Sequence, residues 1–143
     1  MRPLGITLIG IYQILRGAVG VLFALGLLLV SGLAAKLASL AAEGNAVERL
    51  IHSLGRWAAV GILVLGLLHI LAGLGLFKVQ NWGRLLTLLL SAIALVALLP
   101  TLIVTHGIPL IFGAINAIVI FYLALPPTKR AFHSERPALK AAA

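Results

Sequence analysis

Four long apolar runs, at residues 4–35, 57–77, 85–104 and 108–125, constrain this chain more than any other feature. A helix needs about 20 mostly apolar residues to cross a bilayer. Each run is of that order, and polar segments separate them. The expected fold is all-α: a polytopic membrane protein with four transmembrane helices in an antiparallel bundle over residues 1–127. Residues 128–143 are expected to form a basic cytoplasmic tail. Composition closes the main alternative. The chain has 143 residues, of which 62% are hydrophobic and 10% charged. Soluble domains are about 45–50% apolar and about 25% charged, and one of this size leaves roughly 30% of its unfolded surface in water.

Arg2 and the small residues Gly32, Ala34 and Ala35 raise the alternative of a cleaved signal peptide at the start. A signal core spans about 7–15 residues, and the first run is about twice that. It also contains Arg16, so a retained helix is expected.

The segment between the first two runs reads as an amphipathic helical connection. Leu33, Leu37 and Leu40 share one helical face, as do Val47, Leu50, Ile51 and Leu54. Asn45 and Glu48 have the spacing of an N-cap and its capping-box partner. Its simplest role is to cap the bundle; the alternative is a gate or a partner-binding surface. Residues 78–84 form a tight turn. Pro100 and Pro109 bracket a further turn that holds His106, and Pro126-Pro127 end the last helix.

The net charge of +8 would suggest nucleic acid in a soluble protein. Here it sorts by membrane side instead. With four spans, Arg2, Lys78, Arg84, Lys129, Arg130, Arg136 and Lys140 share one face. Lys36, Arg49 and Arg56 share the other, with two acids. The positive-inside rule then places both termini in the cytoplasm, with the chain in the inner (cytoplasmic) membrane. The same cations suit anionic headgroups, each worth about 1 kcal/mol near the surface. The expected partners are this lipid surface and another membrane protein or a second copy, with no nucleic acid.

Small residues recur along the spans. Residues 10–17 and 66–73 both read G-[IL]-x-[QH]-I-L-x-G, so Gly10, Gln13 and Gly17 match Gly66, His69 and Gly73. The simplest explanation is convergent use of small residues where helix backbones approach. The alternative is a pair of helices related by a pseudo-two-fold axis, as in inverted-repeat transporters. Gly20, Gly61, Ser91, Ala94, Gly113 and Ala117 are further packing candidates.

Among the polar side chains within the spans, Gln13, Arg16, His69 and Asn116 are the candidates for a functional role. Arg16 lies 12 residues past Leu4, roughly 18 Å along a helix. It is expected either near the midplane or, in a shifted register, reaching back to the cytoplasmic headgroups. No acid lies within a span, so its partners are polar side chains, carbonyls, lipid phosphate or a carboxylate of another protein. His69 is expected to pack as a hydrogen-bonded side chain. The alternative is axial ligation of haem or chlorophyll, with Gly66 and Gly73 leaving room for a macrocycle. Asn116 reads as interhelical glue. Trp57 and Trp82 sit at span ends as interface anchors. No metal site, cofactor motif or catalytic residue is predicted. Cysteine is absent, and neither HExxH, GxSxG nor a phosphate loop occurs.

Residues 75–84 (Gly-Leu-Phe-Lys-Val-Gln-Asn-Trp-Gly-Arg) resemble the turn after the second helix in a group of small four-helix membrane proteins of bacteria and archaea, of unknown function. Asn116 and the run Phe121-Tyr-Leu-Ala-Leu-Pro-Pro-Thr-Lys-Arg-Ala-Phe132 resemble their last helix and basic tail. The resemblance implies a four-helix fold and no activity. Small multidrug transporters share this size and span number, but they carry a glutamate in the first helix and this chain has none. The expected function is a non-enzymatic accessory or structural subunit of a larger membrane complex. The alternatives are a small oligomeric carrier or channel for a lipid, ion or apolar solute, and a pigment- or haem-binding subunit.

Overall fold

The computed structural model describes residues 3–40, 46–104 and 107–132. Every regular element among them is helical. They are α1 (Leu4–Leu40), α2 (Ala46–Phe77), α3 (Asn81–Val104), α4 (Ile108–Ala124) and α5 (Pro126–Ala131). Three segments are long and apolar enough to cross a membrane: Leu4–Lys36, Ser53–Phe77 and Asn81–Pro100. Pro109–Ala124 is apolar but shorter. The α4 helix has 17 residues, so it rises about 26 Å, a little under the roughly 30 Å of a hydrocarbon core.

Three local expectations are corrected. Residues 46–55 do not form a separate connecting helix, because α2 runs unbroken from Ala46 into the second span. The cap expected at Asn45 lies outside the described residues, as does the turn at His106. Pro100 does not open the next turn but sits inside α3, which continues to Val104. Its ring removes one helical hydrogen bond without ending the helix. The turn into α4 is instead marked by Gly107, at φ 110°, followed by Pro109 in the first turn. That is the favoured use of proline at a helix start. The double proline does end α4, yet it also opens α5, whose first residues are Pro126 and Pro127.

The described chain divides into two compact units, Met1–Ile14 with Leu71–Ala143 and Leu15–Ile70. In the first unit, α3 packs against α4 and α4 against α5. Its core joins Ile6, Leu76, Val79, Val119, Leu123 and Phe132. These residues come from the start of α1, the end of α2, the turn after it, the end of α4 and the residue after α5. Those segments therefore meet at one end of the unit. Val79 holds φ 51°, a left-handed conformation unfavourable for a β-branched residue. Its side chain is buried in this core, and that burial offsets the backbone cost.

Backbone-to-backbone approach at glycine is the main packing device. In the first unit, a Cβ added at Gly73 would lie 2.6 Å from Ile14 Cγ1 and 2.8 Å from the Gly10 carbonyl oxygen. In the second unit, a Cβ at Gly17 would lie 2.7 Å from Ile70 Cγ1 and 2.5 Å from the Gly66 carbonyl oxygen. Gly10 meets the Phe77 ring, and Gly66 meets Val21. Each contact maps onto its counterpart by a shift of 56 residues with the helices exchanged. The repeated sequence is thus also a repeated contact set. Two further sites in the first unit were not expected: Gly75 against Gly83, and Gly5 against the Tyr122 ring. Gly113 is buried, whereas Gly61 is exposed with nothing within 4 Å and makes no such contact.

Candidate functional site

Polar side chains inside apolar helices are costly, so their placement is the best guide to a site. In the first unit Gln13, Ser91 and Asn116 are each buried to within 1% and Thr87 completely. Gln13 lies nine residues from the start of α1, Ser91 ten from the start of α3, and Asn116 eight from the end of α4. At about 1.5 Å per residue these are about 12–15 Å from the end where the core cluster sits. Three helices therefore place a hydrogen-bonding side chain at a similar distance from that end of the unit.

Local bonding accounts for part of this set. Thr87 Oγ1 donates to the Gly83 carbonyl at 2.8 Å. Asn116 Nδ2 donates to the Phe112 carbonyl at 2.8 Å. Both are bonds back to the preceding turn, which quiet a polar group within its own helix. Gln13 differs, because its Nε2 and Oε1 are both buried and, among the described residues, have no hydrogen-bond partner. An amide left so costs about 1–3 kcal/mol. Gln13→Leu is therefore expected to keep the fold and to raise its unfolding free energy by about 1 kcal/mol. Denaturant titration in detergent micelles measures this. A loss of stability of similar size would mean that the amide engages a group the fold depends on.

In the second unit, His69 is 8% exposed, and its Nδ1 lies 2.7 Å from the Leu65 carbonyl oxygen. A carbonyl only accepts, so Nδ1 carries the proton and the lone pair of the neutral ring is at Nε2. That nitrogen is buried and, among the described residues, has no hydrogen-bond partner. Such a ring has the chemistry of a metal ligand or of an acceptor for a donor group. The face of Gly66, however, is filled by Gly17 and Val21. In the first unit the face of Gly73 is filled by Gly10 and Ile14. In each unit these glycines serve helix contact. Arg16 is half-buried, takes part in a polar or electrostatic interaction, and lies close enough to His69 for its charge to act on the ring. The two polar groups read separately from sequence therefore belong to one neighbourhood. Among the described residues no group of three His, Cys, Asp or Glu is placed to hold a metal.

The interface residues lie on the outside. Trp57 is 74% and Trp82 47% exposed. Trp82 Nε1 donates to Gln80 Oε1 at 2.7 Å, which fixes the indole across the turn. Arg84, by contrast, is not a surface cation. It is 8% exposed, with its guanidinium carbon 5.9 Å from the centre of the Phe132 ring. Sequence reasoning missed this, because Phe132 reaches it from the far end of the chain.

Comparison with protein-family models, with curated proteins and with solved structures gives no match. The chain's own geometry is therefore the ground for a functional reading.

Proposed function

We propose that this chain is a non-enzymatic integral membrane protein that packs, as an accessory or structural subunit, against a larger membrane complex. The observation that carries this reading is the uneven cover of the spans. Only 6% of the most apolar stretch of α1 is buried, against 33% in the second span and 28% in the third. Leu8, Leu15, Val19, Leu22, Leu29 and Leu33 stand 61–70% exposed along it. Their spacing of three, four or seven makes a continuous apolar ridge of the kind that packs against another helix. Glycine contacts with little side-chain freedom, and polar groups bonded back to their own helices, suit a rigid packing partner better than a moving one. In this reading α4 is the fourth span. Both termini are cytoplasmic, in the inner membrane, because seven cations fall on that face against three on the other.

A photocrosslinking residue at Leu15 or Leu22, in native membranes, is expected to give one discrete protein adduct, and the same residue at Leu89 of α3 none. The protein mass of the particle extracted in mild detergent, with bound detergent subtracted, is expected to exceed the 15.0 kDa of the chain. A lone monomer with lipid adducts only would overturn the proposal. One observation favours a carrier as the second reading: the similar distance of Gln13, Ser91 and Asn116 from one end of the first unit. Proteoliposome flux that is lost on Asn116→Leu would support the carrier over the subunit.

A further inference from the structure

We propose that Arg84 holds the phosphate of an anionic membrane lipid at the end of the first unit where α1 begins, α3 begins and α5 lies. Arg84 is more than nine-tenths buried, and among the described residues its Nε and Nη1 are enclosed without a hydrogen-bond partner. Asn81 Oδ1, in the same first turn of α3, is likewise buried and without a partner. No Asp or Glu stands among the described residues of this unit. A buried guanidinium without an anion is unfavourable, and the face of one aromatic ring offsets only part of its desolvation. No described residue of the unit supplies that anion, and an external one would meet the small part of Arg84 that stays exposed.

Two features favour a lipid phosphate over a soluble anion. First, the site adjoins an apolar outer face. Trp82, Leu85 and Leu89, at helical spacing from the same turn, are 47%, 53% and 56% exposed. Arg84 lies on the opposite, buried face of the same turn, with Gly83, Thr87 and Ser91, so the phosphate would reach it at the end of the unit, beside this apolar surface. Second, exposed Lys78, Lys129 and Arg130 lie on the adjoining turn and on α5, and they add positive potential at the same end. Guanidinium is the side chain best matched to a phosphate oxyanion, because its N–H groups form a fork. This proposal does not depend on the accessory-subunit reading.

Native mass spectrometry of the full chain in detergent tests it, with phosphatidylglycerol, phosphatidylcholine or inorganic phosphate added. The wild type is expected to keep one phosphatidylglycerol in preference to phosphatidylcholine. Arg84→Gln is expected to weaken that binding about tenfold, equivalent to about 1.4 kcal/mol. Glu135→Gln is expected to change nothing. Unaltered binding by Arg84→Gln overturns the proposal. A gain of phosphatidylglycerol binding with Glu135→Gln also overturns it, by assigning the charge to the chain's own carboxylate. Inorganic phosphate binding as well as the lipid overturns the lipid assignment in favour of a soluble anion. A readout on the wild type alone covers the case of a variant that does not fold: phosphatidylglycerol should raise the unfolding temperature more than phosphatidylcholine does. Equal effects of the two lipids would count against the site.

Discussion

Gly17→Leu is expected to cost at least about 3 kcal/mol of stability, at or beyond the upper end for overpacked substitutions. The reason lies in what the new side chain would meet. Its Cβ alone would stand 2.5 Å from the Gly66 carbonyl oxygen and 2.9 Å from the Ile70 backbone nitrogen. Neither is the flexible end of a side chain, so α1 and α2 must move apart. Without a hydrophobic effect between helices in lipid, that contact is a main source of their association. Gly26→Leu is the matched control on the same helix, because nothing lies within 4 Å of its Cβ position. It is expected to lose nothing and to gain up to about 0.8 kcal/mol from helix propensity. Unfolding of both variants in detergent, followed by circular dichroism, gives the comparison. Equal stability of the two would refute the close α1–α2 approach.

The second large effect is expected at the turn between α2 and α3. A Cβ at Gly83 would lie 2.5 Å from the Gly75 carbonyl carbon and 2.8 Å from the Leu76 backbone nitrogen. Gly83→Leu must therefore open the hairpin, and a cost of about 3 kcal/mol or more follows. The buried Val79 and Leu76 are expected to lose contact with it, because both belong to the core at that end. Gly5→Ala is the informative contrast. Its Cβ would meet the outer atoms of the Tyr122 ring, and that ring can turn aside. A cost below about 1 kcal/mol is expected there, the range of a tolerated change. Pulse proteolysis across the 78–80 turn separates the two variants. Gly83→Leu should be cut readily, and Gly5→Ala should resist like the wild type.

Much of this architecture is legible in the sequence, for physical reasons that differ by feature. The spans are read from apolar run length, which the bilayer fixes. The contact glycines of α1 and α2 are read from their repeat, because two antiparallel helices with one motif meet in reversed order. Gly10 therefore faces Gly73, and Gly17 faces Gly66. Gly75 and Gly83 belong to no repeat. Their only signal is equal distance from Val79, four residues to either side of the turn's centre. The continuity of residues 46–55 with the second span is hidden because a polar helical stretch looks alike whether it is joined or free. The short α5 is hidden because a double proline ends one helix and starts the next with equal ease. Most of the candidate site is composition-level information: Gln13, His69 and Asn116 stand out as polar residues in apolar runs. The bonds that quiet Asn116 and Thr87, the open Nε2 of His69 and the burial of Arg84 are three-dimensional facts. They depend on which helix covers which, and no local pattern carries that.

Single-cysteine labelling tests the four-span topology with cytoplasmic termini most directly. The chain has no cysteine, so each variant needs one substitution only. Gln80, Gly107 and Arg130 are all exposed and lie between or beyond the helical spans. With a membrane-impermeant maleimide, Gln80→Cys and Arg130→Cys should react only in inside-out vesicles, and Gly107→Cys only in right-side-out ones. Labelling of Gln80→Cys and Arg130→Cys from opposite faces would contradict it, because α4 would then not cross the membrane.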